Sequence, residues 1–300
     1  MSENVKIFIT GASGLLGRQI FEEATAQKFT VIGTAYSRVK KNLIKCNLTT
    51  PGEVEKLIEE IRPNYIVHAA AERFPDKVEK DFEAAKLLNV ATSGRLAKIA
   101  KQSGSKLIYI SSDYVFDGTS PPYKDSDTPN PLNKYGETKY EGEKAVLSEN
   151  SEALILRIPI LYGPVESLDE SAVSCLLPLL LSEKEKSVSD YEKRYPSHTR
   201  DIARIICDLI KVNEEGTSIS GIYQWSGKEQ LTKYGMLKAM AEIFSLPFEH
   251  IKPDRNPSPG APRPYDALMD NSKLENLQIS HHIDFKSGIK ECLKNWVKKN

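Results

Sequence analysis

The chain has 300 residues, with 41 Lys+Arg against 41 Asp+Glu and a formal net charge of zero. Hydrophobic residues make up 40% and charged residues 27%, the balance of a globular chain long enough to bury a core without disulfides or metals. Neutral charge excludes a protein that works mainly by coating nucleic acid or an anionic membrane.

Residues 5–10 (VKIFIT) form a β-rich run of strand length. The run ends in GASGLLG, after which Leu16, Ile20 and Ala24 recur at helical spacing. Residues 29–34 read as a second strand. Residues 51–61 are predicted helical, with Thr50 as N-cap and Pro51 in the first position. A third strand is expected over 65–70 (YIVHAA) and a long helix over 81–102. Residues 106–111 (KLIYIS) give a fourth strand, 132–147 a helix and 153–158 (ALILRI) a fifth strand. Strands alternating with helices predict an α/β fold, a doubly wound parallel sheet with helices on both faces. Such sheets bind ligands at the carboxyl ends of their strands.

The second half is less regular. Residues 199–211 are amphipathic, with Ile202, Ile205, Ile206 and Leu209 on one stripe. Residues 222–225 read as a short strand, and Thr232 as the cap of a helix through Phe244. Residues 253–264 (PDRNPSPGAPRP) hold five prolines and predict an irregular loop, read here as a lid. The tail is helical through Ile289, Leu293, Trp296 and Val297. The expected organisation is a nucleotide-binding sheet domain over 1–165 and a smaller C-terminal substrate or partner lobe over 166–300, with about 199–211 returning to the first domain.

Cys46, Cys175, Cys207 and Cys292 stand alone, without a CxxC pair, which suits a reducing compartment. The opening MSENVKIFIT enters a strand at once and leaves no room for a signal peptide. The longest apolar run, 172–181, is interrupted by Ser174 and Pro178 and is too short to span a bilayer. These features predict a protein of the cytoplasm or nucleus, with no membrane and no nucleic acid among its partners.

Three motifs carry chemistry. Gly11, Gly14 and Gly17 follow the first strand and open the first helix, where backbone N–H groups can approach a pyrophosphate. Their GxxGxxG spacing is typical of short-chain dehydrogenases/reductases. An acid after the second strand would hold a free ribose 2′-OH, but 24–52 contains no Asp or Glu and does contain Arg38, Lys40, Lys41 and Lys45. That pattern, with Ser37 and Arg38 at the adenine ribose, predicts NADP(H) over NAD(H). Tyr135 and Lys139 in YGETK share one helix face, and a nearby ammonium lowers a phenol's pKa towards useful acid–base chemistry. Ser112 offers a hydroxyl to the same carbonyl, with Asp113 beside it.

Taken together, the chain resembles an extended short-chain dehydrogenase/reductase, with Asn89 matching that family's helix asparagine. ISSDYVFDG, PLNKYGETKYEGE, LRIPILYG and GAPRPYDALMDNSKLENLQI are similar to the dTDP-4-dehydrorhamnose reductases. The sequence is still more similar to the family of regulatory β subunits of methionine adenosyltransferase. That likeness includes HAAAERFPDKVE at 68–79, SSDYVFDGTSPPY at 111–123, GEKAVL at 142–147, LRIPILYGPVESLDESAV at 156–173 and WSGKEQLTKYGM at 225–236.

The resemblance implies a Rossmann domain and a cofactor site at Ser13, Gly14, Leu15 and Leu16, at Tyr36, Ser37 and Arg38, and at Asn47 and Leu48. It adds Ala69, Arg73, Tyr135, Lys139 and Leu161. Its partner would be a methionine adenosyltransferase catalytic subunit. The chain departs from the family at Ala69, where the animal β subunit tends to have Cys, and in its tail. The animal tail is an apolar segment that inserts into the partner; this one ends KNWVKKN.

Other conspicuous residues read as structural. His281 and His282 are read as surface residues and His68 as a core histidine; no metal site is expected. Glu166, Asp169 and Glu170 read as an acidic loop, Trp225 as packing at the domain junction, and Arg157 as internally paired. Among Arg194, Lys228, Arg255 and Arg263, the last is the preferred ligand for a substrate pyrophosphate. Two functions stay open: a regulatory binding subunit, or a reductase of a 4-keto-6-deoxy sugar nucleotide with Tyr135 as proton donor and Ser112 orienting the carbonyl.

Overall fold

The computed structural model describes residues 5–182 and 184–297; the opening MSEN and the closing KKN of the predicted helical tail lie outside them. The first strand, β1 (Lys6–Thr10), buries every side chain after Lys6, as a strand covered on both faces must. It leads through the glycine-rich turn into α1 (Leu15–Ala26), then β2 (Thr30–Ala35), β3 (Leu43–Lys45), α2 (Glu53–Ile61) and β4 (Tyr65–His68). Next come α3 (Pro75–Lys80), α4 (Phe82–Lys86), a π-helical turn (Leu87–Ala91), α5 (Thr92–Ser103) and β5 (Lys106–Ser112). α6 (Lys134–Glu149), β6 (Leu154–Ile158) and β7 (Leu161–Tyr162) follow. The remainder is α7 (Leu177–Leu180), β8 (Lys186–Ser189), β9 (Ser197–His198), α8 (Thr199–Glu214), β10 (Gly221–Gln224), α9 (Lys233–Phe244), β11 (Ile251–Asp254), α10 (Ser272–Glu275) and α11 (Phe285–Val297).

The doubly wound sheet is present. Seven parallel strands run in the order β10-β6-β5-β4-β1-β2-β3. Period-two alternation splits their side chains between two cores. Ile7, Ile9, Val67, Ile108, Ile110, Leu154 and Leu156 meet α1 and the Ile202, Ile205, Ile206 and Leu209 stripe of α8. Phe8, Ile66, Leu107, Tyr109 and Ile155 meet Val54 and Ile58 of α2, Leu96 and Ala97 of α5, and Val146 of α6. From β1 the chain winds outward through β2 and β3, then returns to β4 and winds the other way. The strand order therefore reverses between β1 and β4, the place where such sheets open a ligand crevice.

A separate apolar cluster joins α9 (Met236, Leu237, Met240), α11 (Phe285, Ile289, Leu293), Leu177 and Leu180 of α7, and Ile251 of β11. Trp296 and Val297 pack against it as partly buried groups. Parallel pairs β8–β11 and β7–β9 lie outside the large sheet. Among the described residues no helix is long and apolar enough to cross a membrane.

Several elements differ from their sequence expectation. α2 starts at Glu53, not Pro51: Thr50 sits in a turn, its N–H on the Asn47 carbonyl at 3.0 Å. Gly52 takes the cap position at φ +87°, a left-handed conformation, and its N–H donates to Glu55 Oε2 at 2.9 Å. β3 went unforeseen because its LIK triplet lies in a basic, half-exposed stretch with no apolar alternation. The single helix expected over 81–102 is broken by the π turn, and α3 precedes it. The proline-rich stretch begins within β11, where Pro253 stands opposite Val188; among the described residues that strand pairs with β8 alone.

Candidate functional site

A cavity of about 650 Å³ opens at the carboxyl ends of β1, β2, β4, β5 and β6. Its wall includes Gly11, Ser13, Gly14, Leu15, Leu16 and Gly17 from the first turn, Tyr36, Ser37 and Arg38 after β2, and Asn47 and Leu48 after β3. Ala69 and Arg73 follow β4, Ser112 and Asp113 end β5, Tyr135 and Lys139 face in from α6, and Leu161 closes the far side. Apart from Asn89, which lies behind the wall, the residues singled out as catalytic or cofactor-binding from the sequence border this one cavity. Arg194, from the second half of the chain, completes it.

The glycine turn is shaped by close approach. Gly11 has φ +69°, and a Cβ there would lie 2.9 Å from Ala70 Cα. A Cβ on Gly17 would lie 2.2 Å from the Gly11 carbonyl oxygen, so only glycine lets α1 begin against the turn. α1 has Gly14 at its cap, with no side-chain cap bond and no acid in the first turn. Its leading N–H groups and positive dipole end face the cavity, a fitting cradle for a pyrophosphate.

Two of the cations after β2, Arg38 and Lys40, are held by carboxylates. Arg38 donates to Glu170 and lies 3.7 Å from Glu166, and Lys40 pairs with Glu166. Arg18 of α1 donates to Glu170 at 3.0 and 2.7 Å. The acid missing after β2 in sequence thus arrives from residues 166–170. Asn47 Oδ1 accepts from Thr49 N and Oγ1 at 3.1 and 2.8 Å, and its own N–H donates to Glu53 at 2.7 Å. Arg73 stacks 4.1 Å from the Phe74 ring, and burial lowers its pKa.

At the β5 end, Ser112 Oγ donates to Asp113 Oδ1 at 3.1 Å and accepts from Tyr114 N at 3.2 Å. Burial pushes Asp113 up to about 6, against the pull of Arg194. The expectation that Lys139 lowers the Tyr135 pKa is corrected here. Burial raises the phenol well above its ordinary value; the opposing influences are a Ser112 hydrogen bond and Arg73. The Lys139 ammonium instead donates to the Ile110 carbonyl at 2.7 Å and sits 4.2 Å from the Tyr109 ring centre. Burial lowers Lys139 to about 7, with Glu143 opposing.

A buried polar layer supports these groups. Arg157 donates to Glu143 from Nε at 2.9 Å and a terminal nitrogen at 2.7 Å, and Ser111 donates to the same carboxylate at 2.5 Å. Asn89, in the π turn, accepts from Glu72 N at 2.9 Å and donates to Glu72 O and Thr138 Oγ1, each at 3.0 Å. His68 is a buried core histidine held by Thr10 at 2.7 Å and Ser93 at 3.1 Å; burial lowers it to about 3, so it stays neutral. Trp225 is fully buried.

The preference for Arg263 changes. Arg263 is not in the cavity wall: it donates to Asp76 at 3.2 Å and to the Pro259 and Ala261 carbonyls at 3.0 and 2.9 Å. Its loop is also tied to the start of α6, where Asn133 donates to the Pro262 carbonyl at 2.7 Å. None of residues 253–264 lines the cavity, so this loop buttresses α3 and α6 where a lid was expected. Of the four candidates it is Arg194 that lines the cavity, fixed by the Pro264 carbonyl at 3.0 Å; no local motif in DYEKRYPSH signals it. His281 and His282 lie at the surface as expected, the first partly buried and the second exposed, beside Asp208 (2.6 Å) and Glu229 (3.7 Å). Among the described residues no cluster of three or more His, Cys, Asp or Glu is arranged to hold a metal ion.

Comparison with known proteins places this geometry in context. The RmlD substrate binding domain family matches residues 5–298. The chain is 47% identical to methionine adenosyltransferase 2 subunit beta of Xenopus tropicalis over 290 residues, covering 96% of this chain and 87% of that protein. It is 26% identical to dTDP-4-dehydrorhamnose reductase of Mycolicibacterium smegmatis, covering 96% and 85%. Among solved structures, dTDP-4-dehydrorhamnose reductase of Bacillus anthracis in complex with NADP superposes with a TM-score of 0.83 at 27% identity, over 98% of this chain and 99% of that one.

Proposed function

The chain belongs to the RmlD substrate binding domain family, and we propose that it is an NADP(H)-binding regulatory subunit of a methionine adenosyltransferase. The observation that carries the reading is the likeness, at 47% identity over 96% of the chain, to a protein named as the β subunit of that synthetase. The reductase likeness is weaker, at 26%. In this reading the reductase scaffold is kept for binding, and the synthetase's catalytic subunit is the partner.

The cavity suits NADP(H). The uncapped N-terminus of α1 would take the pyrophosphate, Ser37 and Arg38 the phosphorylated ribose, and Tyr135 and Lys139 the nicotinamide ribose. Leu48, Ala69 and Leu161 supply apolar walls. When bound, the dinucleotide supplies hydride chemistry. The chain's own part in such chemistry would be Ser112 orienting a carbonyl and Tyr135 donating the proton to its oxygen. That is the second reading: reduction of a 4-keto-6-deoxy sugar nucleotide, favoured by Ser112, Asp113, Tyr135, Lys139 and Arg194 sharing one cavity.

One experiment separates the two. The purified protein is titrated with NADPH, run on a sizing column with a methionine adenosyltransferase catalytic subunit, and assayed for NADPH oxidation with a dTDP-4-keto-6-deoxy sugar. NADPH binding with co-elution and no turnover is the expected result. Turnover that vanishes in Tyr135→Phe, without co-elution, replaces the regulatory reading by the reductase.

A further inference from the structure

The geometry points to Glu166 and Glu170 as the residues that set how strongly this site prefers a 2′-phosphorylated dinucleotide, because their carboxylates hold the Arg38 guanidinium that such a phosphate needs. The inference rests on the NADP(H) reading above and deepens it.

The two acids differ in standing. Glu170 is 5% exposed. It accepts from two Arg18 nitrogens at 3.0 and 2.7 Å, from Glu166 N at 2.8 Å, and from Arg38. Arg18 is itself anchored by the Ser13 carbonyl at 2.8 Å. Glu170 is therefore a fixed receptor at the root of the glycine turn. Glu166 is 38% exposed and lies 3.5 Å from Arg18 and 3.7 Å from Arg38, besides its contact with Lys40. Arg38 and Lys40 are about half exposed; Arg38 lines the cavity next to Tyr36 and Ser37.

The physical consequence is a competition. Arg18, Arg38 and Lys40 face Glu166 and Glu170, and Asp169 also attracts Arg38. A dianionic phosphate arriving at Arg38 must take the guanidinium from a carboxylate and is repelled by both acids. A dinucleotide with a free 2′-OH brings no such charge and leaves the ion pairs in place. The acids thus weaken binding of the phosphorylated cofactor selectively. The contact lies 132 residues apart in the chain, which is why the acid-free stretch after β2 reads as more selective than it is.

The test measures dissociation constants for NADPH and NADH, by cofactor fluorescence, in the full chain, in Glu166→Gln, in Arg38→Met and in the double variant. Glu166 is exposed and the swap keeps its shape, so the fold is retained; a thermal melt verifies this. Glu166→Gln is expected to bind NADPH about two- to fivefold tighter, with NADH unchanged, as loss of one partly exposed opposing charge predicts. In the Arg38→Met background the Gln substitution is expected to do nothing. Unchanged or weaker NADPH binding in Glu166→Gln, equal tightening for NADPH and NADH, or a persisting effect without Arg38 overturns the inference while the NADP(H) reading stands. A wild-type chain that binds neither dinucleotide removes both.

Discussion

Lys139 is a cation held in a poor place for a charge. It is 3% exposed, and burial brings it to about 7 from an ordinary value near 10.5. The unfolded chain therefore binds more protons than the folded one between those values, and stability rises with pH across that window. The penalty of the buried ammonium is fully present below about pH 7 and fades as pH climbs towards 10.5. Lys139→Met should accordingly stabilise the cofactor-free protein most at pH 6, with the advantage shrinking by pH 9. Urea unfolding of both proteins at the two pH values checks this, and a constant difference would refute it. Arg157 poses the opposite case. Its two bonds to Glu143 lie in a site where both side chains are at most 2% exposed. Arg157→Met should cost about 3–5 kcal/mol by stranding the carboxylate, whereas replacing both partners by apolar groups should cost far less. Denaturant midpoints of the single and double variants decide it. At this scale the sequence was legible where chemistry is local. Tyr135 and Lys139 lie one helical turn apart, and the glycines lie within one turn of chain. Arg194 reads from the sequence only as a lesser candidate behind Arg263, and Glu170 only as part of an acidic loop, because distant segments bring Arg194 to the cavity and Glu170 to Arg18; the Arg18–Glu170 pair spans 152 residues.

Helix periodicity marks an apolar face but does not register an extra residue inserted in a turn, and this is why the broken helix at Leu87–Ala91 was missed. The break has a use. π turns re-aim side chains at functional sites, and here Asn89 reaches both backbone groups of Glu72 and the Thr138 hydroxyl of α6. Asn89→Ala should leave these buried partners unsatisfied, costing about 1–3 kcal/mol. Because the segment after β4 carries Arg73 into the cavity wall, the same change should weaken NADPH binding as well as stability. Loss of stability with unaltered binding would show that the asparagine only braces the fold. The strands were legible for a different reason: near-continuous apolar runs belong to sheets covered on both faces, and that composition survives without any tertiary information. β3 lacks it and was found only by the pairing of Leu43 with Gly33.

For the whole molecule, the cavity matters because its wall draws on distant parts of the chain. Gly11 and Tyr135 border it from the sheet domain, and so do Ser171 and Arg194 from the second half. Ile160, in the same wall, also packs against the apolar cluster of α9 and α11. A dinucleotide filling this space would contact groups tied to both cores. Ligand binding to the folded state alone adds RT ln(1 + [L]/Kd), about 2.7 kcal/mol at one hundred times Kd. For a chain of this size each kcal/mol moves the melting temperature by roughly 2 °C, so NADPH at that concentration should raise it by about 5 °C. If the shared wall couples the two cores, calorimetry should show one transition displaced as a unit. Two transitions, only one of them moved by NADPH, would mean that the cores melt separately and that the cavity belongs energetically to the large sheet. Arg38→Met sharpens the comparison: it removes the cation offered to the 2′-phosphate and should cut the NADPH shift while leaving an NADH shift intact. An equal loss for both cofactors would mean that Arg38 holds the rim in shape and does not recognise the phosphate.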